Sequence, residues 1–307
     1  MPLRVKGPKD PLLGVMVKGA YRLDKKLAAG GMGAIYRATE VSTGRWVAVK
    51  LLLPGSEHLD EHVRRFTREA QTLERLRHRN VVELLDHGCT PTGTLFIVME
   101  YLTGKTVEDV VPEDRGIPVD AIVEIMEQAC AGVGAAHKQR LVHRDLKPAN
   151  IYLAQQPDKT ALVKVIDFGL AKPMVDRETQ LTSVGKVVGS AGFIAPEHIL
   201  GSRDFQESSD IYGLGAVLYF MLTGRKPYDG NDIVSVMTAQ VHEKPPPLNL
   251  SPSMNDAFAP VVSRAMARKP EKRFRTTEDL LAEVHAALEY LDEDDTIITG
   301  EKAVPTD

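Results

Sequence analysis

Apolar and polar residues alternate along this chain with two different periods. From Tyr21 to Glu100 the pattern favours strands. Leu27–Ala38 and Arg45–Leu51 read as strands, with the turn Ser42-Thr43-Gly44 between them. Val81–Gly88 and Leu95–Glu100 read as two more, and 94–99 is an almost unbroken run of β-formers, as expected of an inner strand. One helix interrupts this region, over Asp60–His78. Its Val63, Phe66, Ala70, Leu73 and Leu76 fall at three- and four-residue steps and so share one face.

Beyond Gly104 the helical period takes over. Pro118–His137 predicts a helix with Ile122, Ile125, Met126, Ala129 and Val133 on one side. Asp210–Thr223 is apolar nearly all round and predicts a buried central helix. Thr276 opens another helix, with Asp279 placed as its capping-box partner and Leu280, Val284 and Leu288 facing a core. Pro245-Pro246-Pro247 is a loop, because proline donates to neither helix nor ladder. The organisation is therefore a small sheet lobe followed by a larger helical lobe. The expected divisions are an N-terminal segment 1–20, a sheet lobe 21–100, a hinge 101–104, a helical lobe 105–291 and a flexible acidic tail 292–307.

Composition narrows the classes. At 307 residues, 43% of them hydrophobic and 26% charged, the chain is of ordinary globular make-up and long enough for about two domains. Its 38 Lys and Arg against 42 Asp and Glu give a net charge of −4, which argues against a coat for nucleic acid. Cys89 and Cys130 are isolated thiols and offer neither a disulfide framework nor a zinc site. Met1–Asp10 has no apolar signal core, and the longest mainly apolar stretch, Ile211–Leu222, falls short of the ~20 residues a membrane span needs. The expectation is a cytoplasmic protein with no membrane segment.

Three constellations carry possible chemistry. In Gly30-Gly31-Met32-Gly33 the backbone could approach phosphate oxygens closely and aim amide hydrogens at them. A dinucleotide-binding turn would need a helix next, whereas Ala34-Ile35-Tyr36-Arg37 continues as a strand, so a glycine hairpin over a phosphate fits better. Lys50 ends the alternating run Val47-Ala48-Val49-Lys50. It is either a solvated strand-edge lysine or a phosphate ligand within reach of Glu69, whose other candidate partner is Arg65. The densest signal is His143-Arg144-Asp145-Leu146-Lys147-Pro148-Ala149-Asn150, with Asp167-Phe168-Gly169 soon after. Asn150 and Asp167 are oxygen donors suited to Mg²⁺ held together with phosphates. Asp145 is then placed to accept a hydroxyl proton, and Lys147 to neutralise a moving phosphoryl group.

These motifs, in this order, resemble a protein kinase, specifically the eukaryotic-like serine/threonine kinases of bacteria, over roughly Tyr21–Leu291. The resemblance implies an α+β bilobal fold, with an antiparallel β lobe holding one main helix and a larger, mainly α lobe. It implies transfer of the γ-phosphoryl group of ATP to Ser or Thr hydroxyls of protein substrates, with Mg²⁺ or alternatively Mn²⁺. In that scheme Lys50 holds the α/β-phosphates and pairs with Glu69, Asp145 is the base, Lys147 assists, and Asn150 and Asp167 hold the metal. The nucleotide is bounded by Leu27, Ala28, Ala29, Gly30, Gly31, Met32, Gly33, Ala34 and Ile35. Its adenine lies between the lobes, under Ala48 and over Tyr152, with Met99 as gatekeeper and the backbones of Glu100 and Leu102 as partners.

Lys147 is the serine/threonine-type residue at its position, while Tyr152 stands where Leu or Met is commoner. Ala28 replaces the loop's usual first glycine. That change costs about 1 kcal/mol if its φ is positive and little otherwise. Ala195-Pro196-Glu197 matches the end of the activation segment, with Glu197 pairing Arg273 and Asp210 bracing the catalytic loop. Arg144 is positioned to receive a phosphate on the activation segment. Thr182 is the first candidate acceptor, with Thr179 and Ser183 beside it, while Ser190 reads as a structural hydroxyl. Autophosphorylation there implies a transient kinase dimer. Thr296 and Thr299 in the acidic tail are weaker phosphosite candidates. The rival readings are a pseudokinase scaffold and a small-molecule kinase. The first ordinarily lacks Lys50, Asp145 or Asp167, and the second lacks the Ala195-Pro196-Glu197 segment.

Overall fold

The computed structural model describes residues 10–30, 33–52, 59–158, 160–169, 191–202, 204–230 and 232–300. They separate into two compact units. The first holds residues up to Arg77 and Val82–Thr103, and the second holds His78–Val81, Gly104–Gly169 and the described residues from Ala191 on.

The first unit is a six-stranded antiparallel sheet in the order β1-β2-β3-β4-β6-β5. Its strands are β1 (Met16–Val17), β2 (Tyr21–Gly30), β3 (Gly33–Glu40), β4 (Trp46–Leu52), β5 (Leu84–Cys89) and β6 (Leu95–Glu100). Alternation puts Tyr21, Leu23, Tyr36, Ala38, Val47, Val49, Phe96 and Val98 into one core, closed by Val17. Helix α1 (Leu59–Arg75) buries Phe66, Ala70 and Leu73 and packs on β5, with Phe66 edge-on to His87 at 6.3 Å. The face expected from periodicity is the buried one.

The second unit begins with a three-stranded sheet of β7 (Gly104–Thr106), β8 (Ile151–Gln155) and β9 (Ala161–Val165). Its helices are α2 (Val107–Val110), α3 (Val119–His137), α4 (Pro196–Ile199), α5 (Glu207–Thr223), α6 (Ile233–His242), α7 (Pro252–Ala265) and α8 (Thr277–Gly300). In α5 every residue from Ser209 to Thr223 is buried, as the apolar run from Ile211 to Leu222 requires, and Gly224 ends it in the left-handed conformation (φ +70°). A Cβ at Gly213 would lie 2.7 Å from the Leu146 Cβ, so the glycine is what lets α5 lie against the loop that follows α3. At the start of α8 the expected capping box is present. Asp279 N–H donates to Thr276 Oγ1 at 3.0 Å, and Thr276 N–H donates to the Asp279 carboxylate at 3.2 Å. Among the described residues no helix is long and apolar enough to cross a membrane.

Three expected boundaries differ. The chain before Tyr21 is not a separate segment. β1 pairs with β2, Gly14 N–H donates to Leu23 O at 2.7 Å, and Val17 is 3% exposed. A two-residue strand is too short for any period to reveal. His78–Val81 belongs to the helical unit, because Asn80 Nδ2 donates to Val163 O at 2.8 Å and Val165 N–H donates to Asn80 O at 2.8 Å. Finally, α8 runs to Gly300 through much of the expected tail. Residues 292–299 contain neither proline nor glycine, so the backbone meets no breaker before Gly300.

Candidate active site

In the first unit β2 and β3 form the glycine hairpin, pairing Ala28 with Ile35, Ala29 with Ala34 and Gly30 with Gly33, while Gly31 and Met32 lie outside the described residues. Gly33 sits at φ +143°, and a Cβ there would collide with the Leu51 carbonyl, so only glycine fits. Ala28 is absent from the residues with positive φ, so the alanine is there without backbone strain. Next to the hairpin, β4 pairs Lys50 with Ile35 on one side and Ile97 on the other, and Ala48 with Met99. Lys50 and, on α1, Glu69 are both half-buried. The side chain of Arg65 lies outside the description. Glu100 N–H donates to Glu83 O at 3.0 Å.

In the second unit the His143–Asn150 loop is held from beneath by one carboxylate. Asp210, 1% exposed on α5, accepts the backbone N–H of His143 at 2.8 Å and of Arg144 at 3.0 Å, and it bonds His137 Nε2 at 2.8 Å. These bonds hold Arg144 in the left-handed region (φ +69°), which disfavours side-chain-bearing residues by about 1–2 kcal/mol. His143 is the second support. Its Nδ1 accepts the Asp145 N–H at 3.2 Å, so Nε2 carries the proton and donates to Ile166 O at 2.9 Å. Burial holds its pKa below the ordinary histidine value, in keeping with that neutral form. Its ring also lies 4.5 Å from that of Phe168, and His143 O accepts the Gly169 N–H at 3.0 Å. One side chain therefore links the Asp145 loop to the Asp167-Phe168-Gly169 turn.

On this frame Lys147 Nζ lies 3.1 Å from Asp145 Oδ2. Asn150 Nδ2 donates to Asp145 O at 2.8 Å and to Oδ2 at 3.2 Å, and Ile166 N–H donates to Asn150 O at 3.0 Å. With its NH₂ turned to Asp145, Asn150 presents Oδ1 on the opposite side of the amide. Asp167 takes a left-handed backbone at φ +65°. Two hard oxygen donors of this kind fit a divalent metal that completes its shell with phosphates and water. Tyr152, central in the small sheet, pairs with Thr106 and Lys164.

A second charged cluster lies at the end of the activation segment. Arg273, with its side chain fully buried, forms a fork on Glu197 at 2.8 and 2.7 Å. Its other hydrogens go to Ala267 O, Ser208 O and Arg268 O, so all five donors are used. Burial pushes the Glu197 pKa up, but the Arg273 bonds and charge outweigh it and hold it below the ordinary carboxylate value. Ser209 Oγ bonds both Glu197 (3.0 Å) and His198 Nε2 (2.7 Å). His198 stacks on Phe205 at 4.1 Å, and the Arg144 guanidinium lies 5.0 Å from that same ring. His137, His198, Phe205 and Ser209 carry no local sequence signal, since each acts on a partner brought near only by folding. Thr179, Thr182, Ser183 and Ser190 lie outside the described residues.

A sheet unit with a glycine hairpin, and a helical unit with a carboxylate-braced His-Arg-Asp loop, are the parts of a kinase-like fold. The chain belongs to the protein kinase domain family, which matches residues 21–285. It is 38% identical over 269 residues to the serine/threonine-protein kinase Pkn1 of Myxococcus xanthus, covering 87% of this chain and 38% of that protein. It is 37% identical over 268 residues to the serine/threonine-protein kinase PknB of Mycobacterium leprae, covering 86% and 42%. The chain thus spans about two-fifths of the length of these relatives. Among solved structures, the kinase domain of Mycobacterium tuberculosis PknI matches with a TM-score of 0.69 at 26% identity, covering 90% of this chain and 98% of that one. Use of ATP and a divalent metal is a property of the family.

Proposed function

We propose that this chain is a serine/threonine protein kinase, transferring the γ-phosphoryl group of ATP to hydroxyls of protein substrates. The observation that carries the reading is the Asp145–Lys147–Asn150 group, held on Asp210 and His143. As the substrate oxygen bonds to the γ-phosphorus, the bond from that phosphorus to the ADP oxygen breaks, and the hydroxyl proton passes to the Asp145 carboxylate. Lys147, 3.1 Å from Asp145, steadies that carboxylate and supplies positive charge for the moving phosphoryl group. Lys50, oriented by Glu69, grips the α/β-phosphates, and the hairpin of Leu27–Ile35 covers them.

Asn150 and Asp167 would hold the metal, Mg²⁺ in preference to Mn²⁺, which when bound neutralises charge on the phosphates. Turnover on a good substrate would be roughly 1–100 s⁻¹. Arg144, beside Asp145, would receive a phosphate placed by autophosphorylation at Thr182 or Ser183 within a transient pair of copies. A peptide-library assay with ATP and either metal tests this. Phosphoserine or phosphothreonine should form, and Asp145→Asn should abolish it while ATP still binds. Wild-type protein that binds ATP but transfers nothing would instead support the pseudokinase scaffold.

A further inference from the structure

We propose that Asp10 is a positioning residue for the glycine hairpin, holding the cross-strand pair Lys26 and Tyr36 from which the hairpin extends. The proposal rests on the reading of that hairpin as a nucleotide cover. Asp10 lies before the 21–285 stretch that the family model matches.

Lys25 to Gly30 are all exposed, so no core packing fixes the far half of β2. The sheet does fix its near half, through Tyr21 and Leu23. Between the halves the register slips twice, from Leu23 to Lys25 and from Lys26 to Ala28. Such irregularities bend and loosen a ladder. Lys26 faces Tyr36 between the two slips, at the root of the hairpin.

Asp10 reaches this root. Its Oδ2 lies 2.9 Å from Lys26 Nζ and accepts the Tyr36 hydroxyl at 3.1 Å, while Oδ1 accepts the Leu12 N–H at 3.0 Å. One carboxylate thus joins a residue of β2 to its partner on β3. Tyr36 is 1% exposed, so its ring is rigid and its hydroxyl is a fixed point. The backbone after Asp10 is itself anchored. It turns through Leu13 N–H to Asp10 O at 3.1 Å and then bonds Leu23 in both directions, with Gly14 N–H donating at 2.7 Å and Val15 O accepting at 3.0 Å. The backbone tie ends at Leu23, before the first slip. The carboxylate carries the tie past it, to Lys26.

A hairpin that aims amides at phosphates loses affinity when it must be ordered on binding. The loss of Asp10 should therefore appear in ATP binding and spare the chemical step. In the full chain, Asp10→Ala should raise the ATP Kd and KM three- to tenfold, with kcat within twofold. It should also speed amide exchange across Leu27–Gly30. Asp10→Asn should fall between, because its amide oxygen still accepts from Tyr36 while the ion pair is gone.

Lys18→Met is the control. It removes a similar pair in the same unit, Lys18 Nζ to Asp86 at 2.8 Å, and should leave ATP affinity unchanged whatever it does to Tm. An unchanged Kd in Asp10→Ala, or an equal rise in Lys18→Met, would overturn the proposal. Wild-type protein that binds ATP without transferring phosphate would sink the kinase reading, yet the Asp10 comparison would still be decided by Kd. Failure of the wild type to bind ATP would overturn both.

Discussion

Asp210→Asn changes one atom and should damage both folding and turnover. The carboxylate spends its two oxygens on three N–H donors, with His137 and His143 on Oδ2 and Arg144 on Oδ1. An amide has one acceptor oxygen. If the oxygen stays with His137 and His143, the new NH₂ faces the Arg144 N–H, and if it turns, two donors are left facing it. Hydrogen bonds to charged groups are worth about 1.5–3 kcal/mol each, and an unsatisfied buried N–H costs about 1–3 kcal/mol. Losing one bond and weakening the others gives a destabilisation of roughly 2–5 kcal/mol. At about 2–4 °C per kcal/mol for a unit of this size, Tm should fall by roughly 4–20 °C.

Activity should fall through geometry. Arg144 keeps its left-handed backbone (φ +69°) under the hold of Asp210, and Asp145 is the next residue. Relaxation at 144 moves the proposed base, and a shift of about 1 Å can cost on the order of 100-fold in rate. We expect kcat to fall at least tenfold with ATP affinity within threefold. Urea denaturation and initial rates on the same preparation measure both. Stability within about 0.5 kcal/mol of wild type, with kcat within twofold, would refute the argument.

Glu197→Gln should destabilise the protein by about 3–5 kcal/mol in urea, because it leaves the buried Arg273 charge uncompensated, and a loss under 1 kcal/mol would contradict the buried fork. On acidification, His143 and Glu197 act in the same direction. Both have folded pKa values below their ordinary 6.5 and 4.5, so the unfolded chain takes up protons first. Stability is therefore complete above those values and should fall as pH drops below about 6.5, then further below 4.5, and a flat urea midpoint from pH 7 to 4 would contradict it. A thiol reagent should label exposed Cys89 at once and spare Cys130, whose pKa burial pushes up to about 12; equal labelling rates in the native protein would show that α3 opens readily. Ala28→Gly should change kcat/KM by no more than about threefold, since the alanine backbone is unstrained, and a larger gain would show that the Cβ hinders the nucleotide.

Much was legible before folding was considered. The α1 face, the mostly apolar α5 and the Thr276–Asp279 box follow from residues three or four apart, a range over which backbone geometry alone sets neighbours. The Asp145, Lys147 and Asn150 cluster is contained in six residues, so its closeness could be read as a string. Glu197 with Arg273, and Asp210 beneath the loop, are implied only by likeness to a family, since nothing in the local pattern links residues 76 or 66 positions apart.

Tertiary structure decided the rest. It set which backbone hydrogens Asp210 holds and which tautomer His143 adopts. It placed His78–Val81 with the helical unit and put Arg144 and His198 against Phe205. It also drew residues 10–17 onto the sheet, giving the hairpin root its carboxylate. Periodicity reports whether a residue faces a core. Hydrogen-bond partners are chosen by direction and distance once two elements have packed, so a polar side chain's partner is settled only when the chain has folded around it.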